Sequence, residues 1–200
     1  MRKLPILLGG AMVLAACSSS TPPPAPPPPA APDMSNPLMA PGYLAMAASS
    51  DQFEIQSGQM AQQMSQNPEV RNFGNLIVAD HTRSTQMLTA AAQSAGITPP
   101  PPGLLPDQQA MLSQLQAAGS GPSFDAAFKT VQIAAHQSAL QLHQNYAAQG
   151  DVPALRSVAA QIVPVIQMHL NQAQLLNNAP PAPPPPPPAM PSSTTRGERG

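Results

Sequence analysis

Between residues 38 and 178 the apolar side chains recur at alternating spacings of three and four, the period of one helix face, in four long stretches. The first, residues 38–66, places Tyr43, Met46, Ser50, Phe53, Ser57, Met60 and Met64 on one stripe. Asn67-Pro68 ends it, because proline disfavours helix at the residue before it and suits the first turn of the next. The second, residues 68–95, carries Val70, Phe73, Ile77, Ser84, Met87 and Ala91, and Gly96 stops it, so the first two stretches form a helical hairpin. Prolines 99–102 then break the pattern, and Pro106-Asp107 opens a short helix that Gly119 closes. This long connection is expected to cap one end of the domain. The third stretch opens near Pro122-Ser123 and shows Phe124, Phe128, Val131, Ala135, Ala139, Leu142 and Tyr146 before Gly150-Asp151 terminates it. The fourth, residues 152–178, spaces Leu155, Ile162, His169 and Leu176 by sevens, with Val158, Ile166 and Ala173 between and a kink expected at Pro164. Four amphipathic helices of similar length predict an all-α domain over residues 37–178, an antiparallel four-helix bundle.

Composition agrees. Only 8% of residues are charged and 3% aromatic, Trp is absent, and Ala, Gln, Leu and Met fill the middle, a mixture that favours helix over sheet. The 29 prolines gather at the ends. Residues 1–16 read as an export signal, with Arg2 and Lys3 ahead of an apolar stretch too short to span a bilayer. It ends in Leu14-Ala15-Ala16-Cys17, which resembles the lipobox of bacterial lipoproteins and makes Cys17 the lipidation site, the first residue of the mature chain. As the sole cysteine, Cys17 has no disulfide partner within the chain. Residues 17–36 are then a proline-rich tether and residues 179–200 a proline-rich tail, both expected to be disordered. Ser18 stands where many lipoproteins held in the inner membrane carry Asp, so the resemblance implies a periplasm-facing protein sorted to the outer membrane. Without Arg2 and Lys3, six basic residues face nine acidic ones, a formal charge of −3, and nothing in that balance attracts nucleic acid. The expected partners are the membrane, through the lipid, and an envelope protein or cell-wall component.

The candidate chemistry lies in polar groups on the apolar faces, where an ionisable side chain is costly unless paired. Glu54 falls near the centre of the first stripe among Ala47, Ser50, Ser57, Gly58 and Ala61. Asp80 lies on the second stripe, seven residues after Phe73 and seven before Met87, with His81 at the edge, while His169 is central on the fourth. His136 sits to the flank of the third. His143 is roughly 10 Å further along the same helix, too far to share an ion with it, and His136 is the better candidate because it is nearer mid-helix. In an antiparallel bundle Glu54, Asp80, His81, His136 and His169 come to one layer. Carboxylate plus imidazole suits Zn, Fe, Mn, Ni or Cu rather than Ca or Mg. The same residues could instead form a hydrogen-bonded network, Asp80 or Glu54 pairing with His169, that fixes helix register without a ligand. No Glu-x-x-His occurs, which excludes a ferritin-type di-iron centre. There is no phosphate-binding glycine loop, nucleophile elbow or His-Glu-x-x-His, and the 11 methionines are scattered as core fillers.

Tyr43-Leu44, Glu54, Gly58-Gln59-Met60-Ala61, Val70-Arg71-Asn72-Phe73, Val78-Ala79-Asp80-His81, Phe124-Asp125, His136 and Pro164 through His169-Leu170 together resemble the domain of unknown function 4142 family. The resemblance covers residues 39–176. It implies a ferritin-like fold and an exported bacterial protein, and it matches the family's histidines to His81, His136 and His169. Ala135 departs from the family's pattern, which has Asp before the third-helix histidine, and so removes a carboxylate from beside His136. Two functions follow: an envelope-anchored binding or structural module without enzymatic activity, or a metal-sequestering, stress-related bundle using the carboxylate and histidine cluster.

Overall fold

Among the described residues every helix opens with proline in its first turn, where the missing N–H has no intrahelical acceptor to serve. The elements are α1 (Ala40–Met64), α2 (Pro68–Ser94), α3 (Pro106–Ala117), α4 (Pro122–Gln149) and α5 (Pro153–Leu175). The computed structural model describes residues 33–101 and 103–177. The export signal, Cys17, the tether up to residue 32 and the tail over residues 179–200 lie outside the described residues.

The turns follow local chemistry. Asn67 caps α2 by accepting a hydrogen bond from the Glu69 backbone N–H at 2.9 Å, and Gly96 leaves α2 at φ +72°, a conformation open to glycine. Gly150 closes α4 for a different reason: its φ is −60°, but a Cβ there would meet the Tyr146 ring at 2.6 Å. The fourth long helix, α5, continues without interruption through Pro164. Residues 160 and 164 are both exposed, so the carbonyl that Pro164 cannot satisfy is on the solvent side.

Helices α1, α2, α5 and α4 are neighbours in that order around a square. Asp151 N–H donates to the Leu38 carbonyl and Gly121 N–H to the Met64 carbonyl, at 3.2 and 2.9 Å, tying α1 and α4 antiparallel at both ends. Asn67 Nδ2 donates to the Asn177 carbonyl at 2.6 Å, joining the start of α2 to the end of α5. The crossover from α2 to α4 therefore travels the length of the bundle, giving a ferritin-like antiparallel four-helix fold. Helix α3 does not cap an end, as the sequence suggested. It lies along α1 and α4, burying Leu112 and Leu115 beside Phe53, Phe124 and Phe128, and Gln108 accepts from Ser49 Oγ at 2.8 Å.

The core is divided in two. One cluster holds Tyr43, Leu44, Leu88, Tyr146, Leu155 and Ile162, and the other Phe53, Val70, Phe73, Phe128 and Ala173. In chain order, His81 and Ser84 on α2 and His169 on α5 fall between these clusters, and Asp51 and Glu54 on α1 and Gln132 and His136 on α4 lie at or beside the same boundary. That interruption positions the site.

Candidate metal centre

Each of the four long helices sends a polar side chain into the middle layer: Asp51 and Glu54 from α1, His81 from α2, Gln132 and His136 from α4, and His169 from α5. All of them are 3% exposed or less, which for ionisable groups demands partners. His81 Nδ1 is 2.8 Å from Asp51 Oδ1, and Thr85 Oγ1 donates to the other Asp51 oxygen at 3.0 Å. His169 Nε2 is 2.9 Å from Asp80 Oδ2, and His136 Nδ1 is 2.9 Å from the Gln132 carbonyl. A carboxylate or a carbonyl only accepts, so each of these ring nitrogens carries the proton and donates. In a neutral imidazole the opposite nitrogen then holds a free lone pair. Those nitrogens, His81 Nε2, His136 Nε2 and His169 Nδ1, are buried with no hydrogen-bond partner.

The three rings sit 5.4–5.7 Å apart by centroid, and one nitrogen from each lies within 4.8 Å of the others. Glu54 adjoins them with Oε1 3.5 Å from His136 Nδ1, and neither of its oxygens has a hydrogen-bond partner. Burial pushes the Glu54 carboxyl up to about 7; His81, Gln132 and Ser57 pull it back while the charge of Asp51 adds to the rise. Burial, with the positive charge of His81 and His169, drives His136 down to about 3. His169 is also lowered by burial and His81, against the opposing hydrogen bond and charge of Asp80. At His81 burial works against protonation, but the hydrogen bond and charge of Asp51, with Glu54 and Asp80, outweigh it and raise the imidazole. Among the described residues this layer gathers three imidazoles, each with one partnerless ring nitrogen, and the enclosed carboxyl of Glu54, whose polar neighbours are His136, Gln132 and Ser57.

The structure corrects the sequence reading at three points. Asp80, placed on the buried stripe, has a side chain 30% exposed, whereas His81, placed at the edge, is enclosed. His136 is not at a flank but fully buried. Asp51, which the stripe analysis passed over, is 2% exposed and orients His81. Its signal was available, since residues 47, 51, 54, 58 and 61 make one seam at helical spacing. Ala135 packs into the phenylalanine cluster, and the carboxylates near the histidines come from α1 and α2 instead. His143 belongs to a separate layer, where Tyr43 OH and His143 Nδ1 are 2.8 Å apart, Tyr43 stacks on Tyr146 at 3.7 Å, and burial lowers the imidazole to about 4.

Residues 23–176 match the family described as a domain of unknown function (DUF4142). No curated protein matches the chain. Among solved structures, CopM in the Cu(II)-bound form is similar with 21% identity and a TM-score of 0.59, covering 68% of this chain and 94% of CopM. CopM in the Cu(I)-bound form has 20% identity and a TM-score of 0.57, covering 68% and 93%. The Ag-bound form has 20% identity and a TM-score of 0.56, with the same coverage. At these identities the likeness is one of fold.

Proposed function

The chain belongs to the DUF4142 family, and we propose that it binds one transition-metal ion in the bundle core through His81, His136 and His169, with Glu54 as a nearby charge partner. The observation that carries this reading is the set of three buried ring nitrogens left without partners, each on a histidine whose other nitrogen is already held by Asp51, Gln132 or Asp80. Metal-ligating histidines have this arrangement, because the outer hydrogen bond fixes the tautomer and turns the lone pair toward the ion. Charge points the same way: the carboxyl groups of Asp51 and Asp80, which orient His81 and His169, and of Glu54 beside His136 would attract a divalent cation. A donor set of imidazoles with a carboxylate suits Zn, Cu, Ni, Fe or Mn, and Cu2+ has the highest affinity where divalent ions compete. CopM, a protein of similar fold, is known in copper- and silver-bound forms. What supports the reading for this chain is its own histidine layer.

The test is metal analysis of the purified chain with isothermal titration. One equivalent of Cu2+ or Zn2+ is expected, falling to none in His81→Ala, His136→Ala and His169→Ala proteins that remain helical. A chain that binds no first-row metal, and whose melting is unmoved by added Zn, Cu, Ni, Fe or Mn, would leave the hydrogen-bonded network as the role of these residues. The proposal includes place as well as chemistry: an envelope lipoprotein held at the outer membrane through Cys17, its bundle facing the periplasm and available to an envelope or cell-wall partner.

A further inference from the structure

A cleft of about 200 Å³ opens between α2 and α5 and reaches inward to His81 and His169. His136 and Glu54 do not line it, so they close the far side of the histidine layer. The α2/α5 side is therefore the side on which a cavity reaches two of the three imidazoles. Structural metal sites complete their coordination with protein donors, whereas a site with a face open to a cavity keeps a position for an exchangeable ligand.

The cleft carries its own polar signature. Ser84 lines it one turn after His81, is 6% exposed, and its Oγ has no hydrogen-bond partner. A buried hydroxyl without a partner is unusual, since serine in a helix can ordinarily bond the carbonyl four residues back. Arg83 supplies a cation to the same wall. The acidic group lining the cleft is Asp80, one of whose two oxygens, Oδ2, is engaged by His169 Nε2 at 2.9 Å. Apart from Gln161, the remaining lining, Met87, Ile162, Val165 and Ile166, is apolar, which disfavours a large hydrated ligand and strengthens the few polar contacts inside.

We infer that this cleft binds a small anion of a few atoms that fills the open coordination position of the metal, receiving a hydrogen bond from Ser84 and drawn by Arg83. The inference rests on the metal-binding reading and adds to it an exchangeable co-ligand and the route by which it enters. The full chain loaded with one equivalent of Cu2+ is titrated with azide as the probe anion. A saturable azide-to-copper charge-transfer band is expected. Ser84→Ala is expected to raise the half-saturating azide concentration about two- to tenfold, the range for one lost hydrogen bond. Met87→Trp and Val165→Trp fill the cleft from opposite walls at partly exposed positions; each is expected to suppress the band while copper stoichiometry stays at one. Copper bound in a His81-dependent way with no azide band, or a band that titrates identically in Ser84→Ala and both tryptophan variants, overturns the cleft inference and leaves the metal site standing. Absence of bound copper overturns both.

Discussion

A carboxyl group enclosed as completely as Glu54 is easier to bury as the acid than as the anion, and this sets a pH dependence for the metal-free protein. Its folded value near 7 lies above the ordinary 4.5, so the native state binds the proton more tightly than the unfolded chain. Glu54 thus imposes no penalty below about pH 4.5, and its ionisation destabilises the fold progressively up to about pH 7, by about 3 kcal/mol at most. His136 acts in the opposite sense: its folded value near 3 lies below 6.5, so the stability it contributes is present above about pH 6.5 and is lost as pH falls toward 3. Subtracting the denaturation profile of Glu54→Gln from that of the native chain isolates the carboxyl. The difference is expected to grow between about pH 4.5 and 7, and to shrink when metal is bound, because a cation removes the reason to keep the proton. A difference flat across that range would mean that Glu54 is better solvated than its burial implies. Tyr43→Phe separates the second polar layer from the first: leaving His143 Nδ1 unpaired is expected to cost roughly 1–3 kcal/mol by urea melts with metal stoichiometry unchanged. These residue-scale assignments were only partly legible in the sequence. Glu54 and His169 were found because both lie at the centre of their apolar stripes. Asp80 was misplaced because the line through residues 73, 80 and 87 assumes a repeat of 3.5, and a straight helix drifts about 20° per heptad away from it. The buried run through Ile77, His81, Ser84 and Leu88 follows the true period.

Between elements, α1 and α2 pass in close contact at Gly58 and Gly74. A Cβ on Gly58 would meet the Gly74 carbonyl oxygen at 2.7 Å, and one on Gly74 would meet the Gly58 carbonyl oxygen at 2.8 Å and Ala61 Cβ at 2.9 Å. Both obstructions include backbone, so neither is relieved by a rotamer change. Alanine is the better helix former by about 1 kcal/mol, yet overpacking here costs roughly 1–3 kcal/mol, and the second effect is expected to prevail. Gly74→Ala should therefore lower the melting temperature. It should also weaken metal binding, because separating α1 from α2 separates Asp51 from His81; titration of the folded variant reads this directly. The sequence showed the helices well, since Asn67-Pro68 and Gly96 act locally through proline sterics and a positive φ. It misjudged α3 and His136 for a shared reason. Helix α4 is covered by α1, α3 and α5, so its buried surface is wider than one stripe. Residues 131, 132, 135, 136, 139 and 143 are all enclosed. How many neighbours a helix has is a tertiary fact that its own periodicity does not encode.

For the whole molecule, the proposed lipid anchor and the proposed metal site are separable, and that separability can be tested. The site residues run from Asp51 to His169, and the hydrogen bonds described for their side chains are made to other residues of the bundle. Metal held in the proposed layer, which is drawn from four helices, would favour the folded bundle over the open chain. At free metal of 100 times Kd this adds about 2.7 kcal/mol, or roughly 5–15 °C in melting temperature for a domain of this size. The anchor acts on location alone. Two acyl chains hold a protein to a membrane stably where one does so marginally, so a diacylated Cys17 should keep the chain in the membrane fraction and Cys17→Ser should release it. The released protein is expected to show the same metal stoichiometry and the same metal-dependent rise in melting as the lipidated one. In a Gram-negative host, Ser18→Asp should move the chain from outer to inner membrane fractions with the bundle unaltered. A Cys17→Ser protein that stayed with the membranes would refute lipidation as the anchor. Loss of metal from that protein would instead place a ligand in the N-terminal segment and contradict the closed histidine layer proposed for the core.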